Sequence, residues 1–129
     1  MIYGIGTDIV AVARIERNIA RYGERFSRRI LAPEELAGLA GNARPAHFLA
    51  RRFAAKEATA KALGTGFRGG LRLTDIRVGH DGLGRPELRY AGYARRLVDE
   101  LGITRSLVSI ADERDHAVAY VTLLQGEGR

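Results

Sequence analysis

The sequence predicts an α+β fold, an antiparallel sheet packed against a long central helix and shorter helices, and three observations carry that expectation. Residues His47 to Leu63 contain no Gly or Pro and are rich in Ala, Leu, Arg, Lys and Glu, all good helix formers. Five short runs, IYGIGT, LRLTDIRVG, PELRY, SLVSIAD and HAVAYVTLL, read as strands bounded by turn residues. Helical and strand signals intersperse along the chain without a repeat, linker or low-complexity stretch, the pattern of a sheet covered by helices.

Residues 2–7 form a short, mostly buried strand with Asp8 at its exit, and Gly4 and Gly6 mark places where another backbone can approach closely. From Ala11 to Tyr22 the apolar positions Val12, Ile15 and Ile19 recur at helical spacing, and Gly23 stops that amphipathic helix. Glu24 to Leu31 forms another short turn or helix. Pro33, followed by Glu34 and Glu35, starts a small helix that runs to about Ala40. A loop over 41–45 leads into the central helix, which Gly64 ends. The glycine-rich segment GTGFRGG precedes two strands flanking the turn His80 to Arg85, a helix spans Ala91 to Leu101 before Gly102, and the last two strands flank residues 113–115.

The 129 residues fit one domain, 1–129. With 46% hydrophobic and 28% charged residues, and Gly 16, Pro 3 and Cys 0, the chain is neither collagen-like, mucin-like nor a disulfide scaffold. Without cysteine there is no thiolate zinc site or cysteine nucleophile, and the reducing cytoplasm is the expected compartment. No apolar run approaches a membrane span, and the N-terminus lacks a basic flank followed by a long apolar run, so export is not expected. The net charge of +6 favours an anionic partner. That charge belongs to the first half: residues 1–65 hold 11 basic and 6 acidic residues, and 66–129 hold 10 and 9. Nineteen of the 21 basic residues are Arg, and both lysines, Lys56 and Lys61, fall in the central helix.

On that helix Phe53, Glu57 and Lys61 share one stripe, with Arg52 and Lys56 on the adjoining one. A Glu–Lys pair four apart is ordinarily a solvated ion pair. A chain so biased to Arg that uses Lys twice in one helix also suits phosphate coordination or proton transfer, for which a compact charge on a flexible stem is apt. Carboxylates from separate elements are the usual way to hold Mg²⁺ beside a phosphate, and Asp8 with Glu57 forms a candidate pair. Asp8 has a second reading as the N-cap of the helix after it. His47, His80 and His116 are scattered surface or loop residues and make no metal site.

The stretch Ile5-Gly6-Thr7-Asp8, then 44 residues, then Phe53-Ala54-Ala55-Lys56-Glu57-Ala58-Thr59-Ala60-Lys61, resembles the signature of the phosphopantetheinyl transferases. The start IYGIGTDIV, the run FLARRFAAKEATAKALGTG and the ending SIADERDHAVAYVTL extend the resemblance, to the short bacterial branch, over nearly the whole chain. It implies the fold of that superfamily and an enzyme of fatty acid biosynthesis that moves phosphopantetheine from coenzyme A to a serine of apo-acyl carrier protein, releasing adenosine 3',5'-bisphosphate. It further implies Mg²⁺, with Mn²⁺ as a substitute, held by Asp8 and Glu57, so that Asp8, Glu57 and Lys61 form the catalytic set. Lys61 contacts the coenzyme phosphates and stabilises the leaving group, and Glu57 takes the serine proton, directly or through water. Arg52, Arg44 and the loop amides at Gly64 and Gly66 complete the coenzyme contacts. Lys56 is open between a phosphate contact and a helix-face charge, and Phe53 packs beneath the site. One family pattern carries a Ser-x-x-His run where this chain has Ser109-Ile110-Ala111-Asp112, so no histidine takes a role there.

Arg14, Arg17, Arg21, Arg25 and Arg28 recur every three or four residues, a spacing that would place them along one face if the helix continued or nearly continued through Gly23. Such a stripe is either a solvated face or a docking surface. Acyl carrier protein is acidic and helical, so the resemblance implies that Arg14, Arg21 and Arg25 receive it. It also implies a homotrimer with sites between subunits. The alternative is a non-enzymatic basic module that binds nucleic acid or an acidic protein. For nucleic acid it lacks the expected features, since only Tyr22 and Phe26 interleave with the arginines and no groove-reading motif is present.

Overall fold

The computed structural model describes residues 1–126 and has the expected α+β architecture. Strand β1 (Ile2–Ala11) leads into helices α1 (Val12–Tyr22), α2 (Glu24–Ile30) and α3 (Pro33–Leu39). The long helix α4 (Pro45–Leu63) follows, then a short 3-10 turn (Leu73–Asp75), the hairpin β2 (Ile76–His80) and β3 (Pro86–Tyr90), helix α5 (Gly92–Glu100), and strands β4 (Ile103–Asp112) and β5 (His116–Gln125). Strands β1, β5 and β4 form an antiparallel sheet in that order, and β2–β3 is a separate two-stranded ribbon. None of the described helices is long and apolar enough to cross a membrane.

Helix α4 lies across the inner face of the three-stranded sheet, where Val10, Ala117, Ala119, Val121 and Leu123 meet its buried face. Its own buried residues are mostly alanines, which bring the helix backbone down onto the sheet. The closest approach is at β1. A Cβ on Gly4 would stand 2.1 Å from the Ala62 carbonyl oxygen, and one on Gly6 would stand 2.0 Å from the Ala58 oxygen. Gly6 is therefore required by helix–strand contact, and that contact sets Asp8, two residues further on, against the C-terminal half of α4. Gly6→Ala is expected to cost about 3 kcal/mol, the upper range for overpacking, because the obstacle is backbone and cannot rotate away. Urea unfolding measures it, and a loss under about 0.5 kcal/mol, the scatter of neutral surface changes, would show that the sheet yields easily.

Two boundaries differ from expectation. β1 continues to Ala11, because the N-terminal strand pairs with β5 along its whole length, with Asp8 opposite Ala119. Asp8 thus lies within the strand, and the N-cap position of α1 belongs to Ala11. Gly23 stops α1 as expected, and its φ 58° and ψ −136° divide the arginine stripe between α1 and α2. Residues 71–75 are not strand, since the 3-10 turn intervenes before β2. Among the described residues, nothing covers the opposite face of the sheet. Ile5 and Ile9 of β1, Val118 and Tyr120 of β5 and Leu107 of β4 all stand exposed, Ile9 at 66%.

Candidate active site

Asp8 projects from β1 and meets Lys61 in the last turn of α4, with Lys61 Nζ donating to Asp8 Oδ1 at 3.0 Å and to the Thr7 carbonyl at 3.0 Å. Glu57 lies one turn back on the same stripe. Burial is the largest cause raising the pKa of its carboxyl, and the negative charge of Asp8 adds to it, while Lys61 and Arg14 pull the other way. Two residues from the start of the chain and two from its middle thus form one electrostatic group. Arg14, from α1, stands over the Phe53 ring with its guanidinium carbon 5.5 Å from the centroid, so Phe53 is the platform beneath Arg14 beside Glu57.

Two carboxylates that repel one another, with an ammonium ion-paired to one of them, are a donor set suited to a divalent cation. No group of three or more His, Cys, Asp or Glu side chains that could hold a metal occurs among the described residues. Asp8 and Glu57 therefore fit an ion that takes a few protein oxygens and completes its shell with water and substrate phosphate, as Mg²⁺ does. Beside Glu57 a cleft of about 600 Å³ opens between α2 and the 3-10 turn, walled by Phe26, Ile30, Phe53 and Leu73, with Arg28, Arg29 and Arg72 among its lining.

Other expected coenzyme contacts are placed differently. The amides of Gly64 and Gly66 close the end of α4, Gly64 N–H donating to the Lys61 carbonyl at 3.0 Å and Gly66 N–H to the Ala60 carbonyl at 3.2 Å. They are spent on the helix terminus, whose negative dipole end also disfavours an anion, and this corrects the reading of them as phosphate donors. Arg52 does not join Asp8, Glu57 and Lys61. Its side chain is 12% exposed, and Nη1 donates to Glu35 at 3.1 Å and to the Val78 carbonyl at 2.8 Å, while the guanidinium lies over Phe48. That geometry corrects the phosphate reading of Arg52, whose charge is already satisfied inside the fold. Arg44 stands at the other end of α4 beside His47, and the 13 helical residues to Glu57 place it about 20 Å away. Within one chain it cannot share a ligand phosphate with Lys61.

Lys56 is neither a phosphate contact nor a helix-face charge. It is wholly buried, and burial lowers its pKa to about 8 even though Glu35 acts to raise it. The partner, Glu35, is a residue that sequence reading placed only at the start of a helix. Its carboxylate accepts from Lys56, Arg52, the Ala32 N–H and the Val78 N–H. The signal was present in the rarity of lysine, but the partner 21 residues away is chosen by packing. Asp112, the last residue of β4, pairs with Arg51 at 3.1 Å and ties that strand to α4. On α1 and α2, Arg14, Arg21 and Arg25 are all exposed, and the break at Gly23 leaves a notch lined by Asn18, Tyr22, Arg25, Phe26 and Arg29.

Comparison with known proteins adds an independent line. The family model of the 4'-phosphopantetheinyl transferase superfamily matches residues 4–121. The chain is 55% identical over 126 residues to a holo-[acyl-carrier-protein] synthase of Halorhodospira halophila, covering 98% of this chain and 100% of that one. Its structure is similar to the crystal structure of holo-[acyl-carrier-protein] synthase from Neisseria meningitidis, at 47% identity and a TM-score of 0.92, with 97% of this chain and 100% of the other covered. It is also similar to the Bacillus anthracis holo-(acyl-carrier-protein) synthase in complex with CoA (3',5'-ADP), at 35% identity and a TM-score of 0.81, covering 98% and 99%.

Proposed function

The chain belongs to the 4'-phosphopantetheinyl transferase superfamily, and on that premise we infer that it transfers phosphopantetheine from coenzyme A to a serine of apo-acyl carrier protein. The products are holo-acyl carrier protein and adenosine 3',5'-bisphosphate, and the chain acts as one domain in the cytoplasm. The observation that carries the reading is the meeting of Asp8 and Lys61 at 3.0 Å beside a Glu57 whose carboxyl is held above its ordinary pKa.

The serine oxygen forms a bond to the phosphorus that bears the pantetheine arm, and the bond from that phosphorus to the bridging oxygen breaks. Glu57 accepts the serine proton, for which a raised carboxyl pKa is suited. Lys61, 53% exposed, is free to turn from Asp8 toward the departing bisphosphate and balance the charge that develops there. Asp8 and Glu57 would hold Mg²⁺, or Mn²⁺ in its place, which supplies charge neutralisation on the diphosphate oxygens. The test is to incubate the protein with apo-acyl carrier protein, coenzyme A and Mg²⁺ and to weigh the carrier by mass spectrometry. Addition of one phosphopantetheine is expected, and no addition with either Mg²⁺ or Mn²⁺ would overturn the assignment.

Arg14, Arg21 and Arg25 receive the acidic carrier protein. Because Arg14 also acts on the charge of Glu57, Arg25 is the cleaner probe of docking. Arg25→Glu is expected to raise the KM for carrier protein about tenfold, a loss of about 1.4 kcal/mol, while leaving that for coenzyme A within about twofold. Equal rises for both substrates would remove Arg25 from the docking surface.

We also propose a homotrimer with its sites between subunits. The open apolar face of the sheet, continuous from Ile5 and Ile9 through Val118 and Tyr120 to Leu107, supports self-association, since exposed sheet faces of this kind are ordinarily covered. The placement of Arg44 supports it too, because only a site built across subunits brings the start of one α4 to the Asp8 and Glu57 of another.

A further inference from the structure

The Lys56 ammonium lies beneath the cleft that Glu57 borders, and all three of its donors are spent. One goes to the Ile30 carbonyl at 2.5 Å, one to Glu35 Oε1 at 2.6 Å and one to the Leu73 carbonyl at 3.1 Å. The acceptors belong to three separate segments: the last turn of α2, the first turn of α3, and the 3-10 turn. Ile30 and Leu73 are also walls of the cleft, on either side of the opening next to Glu57. We propose that Lys56 is a positioning residue for the transfer reaction, clamping α2 and the 3-10 turn at a fixed separation and so setting the cleft against the Glu57 carboxylate.

Several features favour this over a purely structural ion pair. A buried pair is weak evidence of stability, because apolar residues of similar volume serve as well or better, so its retention calls for something that geometry supplies. The Ile30 carbonyl is one of the last in α2 and has no partner within that helix, and the Leu73 carbonyl, which accepts from the Ile76 N–H as well as from Lys56, lies in a single turn, so Lys56 is a bond that joins the two segments to one another. Lys56 directly precedes Glu57, so the residue that fixes the walls and the residue that faces the cleft share one rigid helix. Arginine could not replace it, because a planar fork does not aim three donors at acceptors arranged around a point. This inference rests on the transferase reading, and its test separates the two.

Lys56→Met alone leaves the Glu35 carboxylate without its ammonium and is expected to lower stability as well as kcat. In the double variant Lys56→Met with Glu35→Gln both wholly buried charges are gone, and Arg52, which is partly exposed and lies over Phe48, keeps the amide oxygen at position 35 and the Val78 carbonyl as acceptors. That variant is expected to recover most of the thermal stability yet to hold kcat, with both substrates saturating, about 10- to 100-fold below the wild type, since small misplacements cost that much. A kcat that returns together with stability, or a Lys56→Met protein with wild-type kcat, overturns the proposal. If the wild-type protein transfers nothing, the transferase reading fails on its own, and hydrogen exchange still decides the clamp. Faster exchange at residues 28–31 and 73–76 in the double variant, with α4 and β1 unchanged, supports it, and unchanged exchange throughout overturns it.

Discussion

Asp8→Asn and Glu57→Gln should each lower kcat/KM for carrier loading by about 10³-fold or more, because each removes a charge from the Asp8–Glu57–Lys61 group to which we assign the diphosphate and the serine. The two changes differ in a way that identifies the roles. Asp8→Asn frees Lys61 from its ion pair and removes the second cause that raises the Glu57 carboxyl, so the Glu57 titration in metal-free protein, followed by NMR, is expected to move down. Glu57→Gln removes the proposed proton acceptor itself. Since the pKa of Glu57 is higher in the folded than in the unfolded protein, acidification protonates the folded state first, and the ionised carboxylate subtracts from stability above that pKa. The Glu57→Gln protein should therefore melt no lower than the wild type at neutral pH without metal while losing transfer. A variant at either position that keeps wild-type turnover would remove the metal and proton-transfer roles given to the pair.

Val118→Glu is the second change with a large expected effect. Val118 sits on the central strand of the sheet, opposite Ile9 on one side and Ala111 on the other, and is already exposed in the single chain. A glutamate there costs the isolated subunit little, but in an assembly that covers this face it would be buried without a partner. Light scattering is expected to show the wild type as a trimer and Val118→Glu as a monomer with a cooperative melt. Transfer should fall about 100-fold, because misplaced or missing groups in a shared site forfeit that much of the rate. A monomeric Val118→Glu protein with full activity would show that each chain holds a complete site.

Within the sheet and helices, local pattern carried most of the fold. The helix formers from His47 onward, the apolar run of β5 and the stops at Gly23, Gly64 and Gly102 act over a few residues, and the elements they predict are present. Where the expectation failed, long-range contact overrode local signal. β1 is longer than its apolar run because β5 pairs along it, and the end of that strand removes Asp8 from the capping role that its residue type favours. The glycine loop after α4 looked like a phosphate cradle, yet its amides are needed by the helix end.

The sequence by itself determined the chemistry available to this protein: an acid near the first strand, a Glu and a Lys four apart on one helix stripe, and a basic first half. Tertiary structure decided which of those charges meet. Gly6, packed against the Ala58 carbonyl, brings Asp8 to Lys61 and Glu57, whereas Lys56, one residue from Glu57, turns inward to Glu35 and two backbone carbonyls. The helical repeat separates neighbouring side chains by about 100°, so two adjacent charges on α4 point to different surroundings. Only the packing of β1, α2 and α3 around that helix decides that one charge borders the cleft and the other braces its walls.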